Sequence, residues 1–304
     1  MLPIPTTTTE LGYVEDSTTT VYADWVECSA LFHEGSISKA DVQDCFSEIN
    51  SYKRDDTSST VADIWSEIER RKRILGQCCP VSIMGNRITA ERWRDYAAYS
   101  FCLLLSYSKS NREWEQKFCK DYQLQGALFE RISAAALICI LKNWEVRQTG
   151  WSGATPVSIK NKIQQIAKEL GEEKGPDDPR PVDKDGGVDI LCYRQFPDKR
   201  GNYPVIFVQC ATGRNWTKKR GVNTLNLWRS WIKFSTINLL SRGFAVPFAF
   251  GDETFRQTQK HGDCLVLDRI RLLSHDVESI WLSNELSTEV KSWVVQKCKT
   301  LPKD

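Results

Sequence analysis

Gly186-Gly187-Val188-Asp189-Ile190-Leu191-Cys192-Tyr193 and, one turn later, Val205-Ile206-Phe207-Val208-Gln209-Cys210-Ala211 decide how this 304-residue chain is read. Both runs are short, apolar and partly β-branched, and turn residues bound them, which is the signature of buried strands. Each carries one polar residue where an apolar one is expected: Asp189 in the first, Gln209 in the second. Between them, Pro197-Asp198-Lys199-Arg200-Gly201-Asn202 is turn chemistry centred near Lys199. A hairpin folded about that centre sets Asp189 opposite Gln209 or within one residue of it. Directly opposed residues share a face with Cβ atoms about 5 Å apart, which is metal-site spacing. The same pattern also fits a surface aspartate beside a loop and a hydrogen-bonded glutamine at a strand end.

Upstream, the run 124–141 has apolar residues at Leu124, Leu128, Ile132, Ala135 and Cys139, a helical stripe. Glu130 sits off that stripe, with Gly126 and Ala134 one turn away on either side, so small residues leave space around its carboxylate. The alternative is a solvated glutamate next to Arg131. A strand is expected over 144–150. An insertion over 152–184 follows, with one helix at about 159–170 and a Pro/Asp-rich loop.

In order, a helix with Glu130, a strand, and a hairpin with Asp189 and Gln209 resemble the PD-(D/E)XK nuclease superfamily, the fold of many restriction endonucleases. Its motif runs Asp, a hairpin, then Glu or Gln, one residue and Lys, and a preceding helix often adds a Glu. Gly187-Val188-Asp189 is similar to its Gly-x-Asp opening, and Gln209-Cys210-Ala211 to its Gln-x-Lys end. Ala211 departs from the pattern, standing where the family usually has its catalytic lysine. The resemblance covers residues 113–304. It implies an α/β fold: a restriction-endonuclease-like core, a mixed β-sheet flanked by helices, behind an N-terminal helical domain.

The resemblance further implies hydrolysis of phosphodiester bonds with Mg²⁺ or Mn²⁺. Such hydrolysis needs a metal ion to activate water and offset charge on the phosphate, and Mg²⁺ takes one or two carboxylates plus waters. Asp189 would anchor the ion. Gln209 would offer its amide oxygen or a neighbouring backbone carbonyl, and Glu130 would act directly or through water. Asp185 could replace or support Asp189, although its context reads first as a turn. For the missing cation, Lys218 or Lys219 at the start of the next helix could reach back into the site, and lysine relocation occurs within the superfamily. Arg194, Lys184 or a partner subunit are further sources of that charge. The expected substrate is DNA, with RNA as the alternative. The setting is microbial defence, with a partner such as an ATPase or helicase, or a homo-oligomer.

Arg214, Lys218, Lys219 and Arg220 follow the Gln209 strand with Asn215 and Trp216 among them, a basic run interleaved with an aromatic. Such a run beside candidate metal ligands suits a phosphate backbone, and it also fits a solvated helix start. Net charge is only +2, so nothing global announces a polyanion partner. Eleven cysteines without a secretory leader indicate a reducing cytoplasm. No C-x-x-C spacing with a matching His pair exists, and His33, His261 and His275 are far apart, which disfavours structural zinc and a Ser-His-Asp triad. No apolar run reaches the length a membrane span requires.

Residues 1–20 read as an extended arm, 21–112 as a helical domain and 113–304 as the nuclease-like domain. The helical domain is expected to hold helices near Trp25, from Ser38, over 63–75 ending at Gly76, and from Thr89. Nothing in it carries a catalytic pattern, and its aromatic residues suit packing. Beyond the basic run come a helix over 225–234 and a strand over 244–250, which Pro247 makes an edge or bulged strand. A short strand at 264–268 and a closing helix over 277–297 complete the chain. Two rival classes stand beside the nuclease: a nuclease-like module that binds nucleic acid without turnover, and a pure interaction subunit.

Overall fold

The computed structural model describes residues 1–5, 18–48, 54–149, 156–180, 183, 186–220 and 224–302. Lys184, Asp185 and most of the 1–20 arm lie outside these residues. The first residues of the arm are tucked into the protein. Leu2 is buried, its N–H donates to Ser29 Oγ, and its carbonyl accepts the Trp25 indole N–H.

The N-terminal half holds α1 (Thr18–Ser29), α2 (Lys39–Glu48), α3 (Arg54–Leu75), α4 (Ala97–Ser110) and α5 (Arg112–Phe118). It also holds β1 (Ser36–Ser38), β2 (Val81–Met84) and β3 (Arg87–Ala90), an antiparallel sheet in the order β1-β3-β2. The helix expected from Thr89 is therefore a strand at its start. Gly85, at a φ of 57°, turns β2 back onto β3 with Asn86, and Ile88 alone of the four β3 residues is buried. The following helix begins only at Ala97. The predicted stop of α3 holds: Gly76 takes a φ of 56°, the left-handed conformation that closes a helix.

The C-terminal half runs α6 (Tyr122–Ile140), β4 (Glu145–Gln148), α7 (Pro156–Leu170), β5 (Glu173–Lys174), β6 (Ile190–Tyr193), β7 (Val205–Cys210), α8 (Trp216–Lys219) and α9 (Thr224–Trp231). It continues with β8 (Ile232–Lys233), β9 (Leu240–Ala245), α10 (Asp252–Gly262), β10 (Leu265–Leu267), α11 (Arg269–Leu273), α12 (Glu278–Trp281) and α13 (Asn284–Cys298). Five strands make a mixed sheet in the order β10-β9-β7-β6-β4. β4, β6 and β7 pair antiparallel as a meander, while β9 is parallel to β7 and β10 to β9. A parallel pair requires a crossover, and α8 and α9 supply the one between β7 and β9. The fold is α/β, a mixed sheet with helices on both faces.

Strand alternation sorts the sheet's side chains. Ile190, Cys192, Ile206 and Val208 join the core built with α6, α4 and α13. Leu191, Tyr193, Val205 and Phe207 join a second core with Ile163 of α7 and Trp228 and Trp231 of α9. The first core is continuous from Trp25 and Leu104 to Val208 and Trp293, so apolar packing joins the two halves. Polar groups join them too. Asp24 of α1 accepts from Arg71 of α3, Ser106 of α4 and Arg269 of α11, all buried.

Three further expectations are corrected. The strand expected over 244–250 spans Leu240–Ala245 and lies inside the sheet between β7 and β10; Pro247, lacking an N–H, falls beyond its end. The closing helix is broken at Leu282, where Ser283 caps a new start by accepting from the Leu286 N–H. On α6 the buried face runs through Gln125, Leu128, Phe129, Ile132, Ser133, Ala136 and Leu137, leaving Leu124 47 % exposed. The predicted stripe is thus rotated, because the helix packs its glutamine and serine inward.

Candidate active-site cleft

The hairpin pairs Ile190 with Val208, Leu191 with Phe207, Cys192 with Ile206 and Tyr193 with Val205. Continued by one residue, that register sets Asp189 opposite Gln209, and its centre falls at Lys199, which has a positive φ of 53°. At the end of the ladder the regularity breaks. The Asp189 N–H donates to the carbonyl of Val208, the residue that also faces Ile190, so two residues of this strand oppose one of β7. That is bulge geometry, which bends a strand and re-aims a side chain. The Asp189 carboxylate accepts from the Cys210 N–H at 2.6 Å, taking the place of a ladder carbonyl.

The re-aimed Asp189 lines a cleft of about 1290 Å³ together with Glu130, Cys210, Arg214, Asn215 and Lys219. Of the two small residues expected beside Glu130, Gly126 borders the cleft, together with Ala127, while Ala134 is buried in the core and is not part of the lining. Electrostatics report the same convergence. The Cys210 thiol is pushed well above its ordinary value, first by burial and then by the Asp189 and Glu130 carboxylates, while Lys219 pulls the other way. Two carboxylates and one ammonium therefore act on a single buried atom at the floor of the cleft.

Other sequence candidates lie elsewhere. Gln209 is opposite Asp189 in register but is not among the residues lining the cleft. Alternation turns it with Phe207 toward the α9 side, where its amide nitrogen sits 3.0 Å from the position a Cβ on Gly187 would occupy. Trp216, expected at a nucleic-acid surface, is instead fully buried and packed at a tilt against Phe250, 4.9 Å between ring centroids. Arg220 lies over the Trp216 ring and reaches Thr258 of α10, away from the cleft lining. Lys218 and Lys219 are both exposed, and of the two Lys219 borders the cleft. Trp216 anchors the short α8 to the core, and Lys219 at its end borders the cleft. Ala211 is fully buried among Trp216, Phe244, Phe248 and Phe250. A lysine there would place an ammonium in an aromatic core, at a steep desolvation cost.

The N-terminal half contributes residues that carried no sequence pattern. Lys109, Arg112 and Glu115 form one wall of the cleft. The Glu115 carboxylate is shared: Lys109 Nζ donates to one oxygen at 2.5 Å and Arg214 Nε to the other at 2.6 Å. Lys109 is fully buried and Glu115 nearly so, and the Lys109 ammonium also lies 5.2 Å from the centroid of the Tyr122 ring. The only signal in the sequence was a cluster of charges at the junction of the two helical patterns, which is ordinary at a helix end.

Among the described residues no three His, Cys, Asp or Glu side chains form a ligand group. Two carboxylates with free choice of water and substrate oxygens suit a hard ion such as Mg²⁺, whereas zinc requires a fuller protein shell. No helix of the described residues is long and apolar enough to cross a membrane. The chain matches no family model, no curated protein and no solved structure.

Proposed function

We propose that the protein is a metal-dependent nuclease that hydrolyses phosphodiester bonds in the cleft between α6 and the β6–β7 hairpin, with DNA as the first substrate to test. The observation that carries this reading is the meeting of Glu130, Asp189 and Lys219 at one cleft from three separate elements. What supports the reading is that the helix and three-stranded meander around them run in the order that the sequence resemblance implies. Asp189 and Glu130 would hold the ion, which when bound polarises the phosphate and lowers the pKa of attacking water. Lys219 faces the phosphate and offsets charge as it develops, the role that buried Ala211 cannot fill. Arg214 grips a phosphate as a positioning contact.

Plasmid and oligonucleotide cleavage in Mg²⁺, in Mn²⁺ and in EDTA tests the reading. Asp189→Asn keeps an acceptor for the Cys210 N–H while removing the charge, so it should abolish cleavage and leave the fold intact. Cleavage that survives in this variant or in EDTA would assign the chemistry elsewhere. The second reading, a module that binds without turnover, is favoured by Ala211; binding by the wild type with no cleavage in either metal would select it.

A further inference from the structure

Resting on that reading, the geometry points to a nucleotide subsite where the cleft wall contributed by the N-terminal half meets the start of α6 and the loop after β7, which selects single-stranded over duplex nucleic acid. Tyr122, the first residue of α6, is 51 % exposed and lines the cleft, and the Lys109 ammonium is held over its ring. An aromatic ring presented inside a cleft that also carries Arg112, Arg214 and Lys219 is a platform for a nucleobase, since every base has a π-face. A base paired within a duplex has its faces covered by its stacked neighbours, whereas an unpaired base is free to lie on the ring.

The phosphate side of the subsite is Arg214, which borders the same cleft. Glu115 holds Arg214 by its Nε and holds Lys109 by Nζ, so one carboxylate sets the position of both the guanidinium and the cation over the ring. Burial raises the Tyr122 hydroxyl's pKa, the Glu115 carboxylate adds to the rise and Arg214 opposes it, so both side chains lie near the ring. Phosphate grip and base platform are therefore built as one unit. Glu115 and Lys109 are positioning residues in it; Tyr122 and Arg214 touch the substrate.

Fluorescence anisotropy of labelled single-stranded and duplex oligonucleotides of the same sequence, in EDTA, reads binding without turnover. Tyr122→Ala should weaken single-strand binding by about five- to 150-fold, the range of a lost base–aromatic stack, and leave duplex binding nearly unchanged. Tyr122→Phe should restore wild-type affinity. Arg214→Ala should weaken binding and reduce the salt slope by about one phosphate contact. Because Glu115→Gln alone strands a buried ammonium, the paired variant Lys109→Met with Glu115→Gln removes both buried charges together. In the Mg²⁺ cleavage assay it should raise KM for single strands with kcat retained, and adding Arg214→Ala should cost little more. Equal loss on duplex and single strand in Tyr122→Ala, or no loss on either, would overturn the subsite while the cleavage and Asp189→Asn results stand. Tyr122-dependent binding without metal-dependent cleavage would instead sink the nuclease reading and keep the subsite. A wild type that binds neither form overturns both.

Discussion

Glu278 offers a test of how the two halves are fastened. It begins α12, yet its two carboxylate oxygens accept the Ala98 and Tyr99 N–H groups at the start of α4, each at 2.9 Å. The other end of α4 carries Lys109 into the cleft wall. Burial pushes the Glu278 carboxyl up from 4.5 to about 7, outweighing the backbone N–H groups that favour its ionised form. The folded protein therefore holds a proton that the unfolded chain has already released. Stability from this group is fully present below pH 4.5 and is lost as pH rises through about 7. The shift corresponds to a ceiling of about 3 kcal/mol, lowered by water reaching the carboxyl from a bordering pocket of about 450 Å³. Glu278→Gln removes the titration. The amide's imperfect fit to two N–H groups costs the same at every pH, so only the pH dependence matters. Urea unfolding of both proteins from pH 4.5 to 8 should show the wild type losing about 2–3 kcal/mol relative to the variant. Curves that run parallel within about 0.5 kcal/mol would refute burial as the force acting on this carboxyl.

Lys219→Ala should lower kcat for cleavage about 10²–10³-fold with binding retained, whereas Lys218→Ala should change mainly salt-sensitive affinity; comparable turnover in the two variants would show that the lysine bordering the cleft is not catalytic. Ala211→Lys should not raise activity and should destabilise the fold by several kcal/mol in denaturant unfolding, because the ammonium would enter the Trp216 cluster. Asp24→Ala leaves Arg71 and Arg269 buried without their shared carboxylate and should cost about 3–5 kcal/mol; a loss under about 1 kcal/mol would mean the network relaxes on its own.

Sequence alone determined the hairpin register and the place of many local elements, but it mistook the strand at Thr89 for a helix start and missed the break at Leu282. Apolar runs, turn residues and helical spacing are short-range properties, and the two strands about Lys199 could pair in few other ways. That Asp189 belongs with Glu130 followed from chain order and a family resemblance, with no direct measure of distance. What the sequence could not disclose is which way side chains turn once strands bend and helices pack. The bulge at Asp189 breaks the alternation that would have kept it with Gln209, and of the adjacent Lys218 and Lys219 only the second borders the cleft. The contribution of Lys109, Glu115 and Tyr122 was equally hidden, because it arises where the end of α4, α5 and the start of α6 meet the loop carrying Arg214, about 100 residues later in the chain than Glu115. Such a contact is a product of the continuous core that joins the halves, and only the tertiary structure decides it.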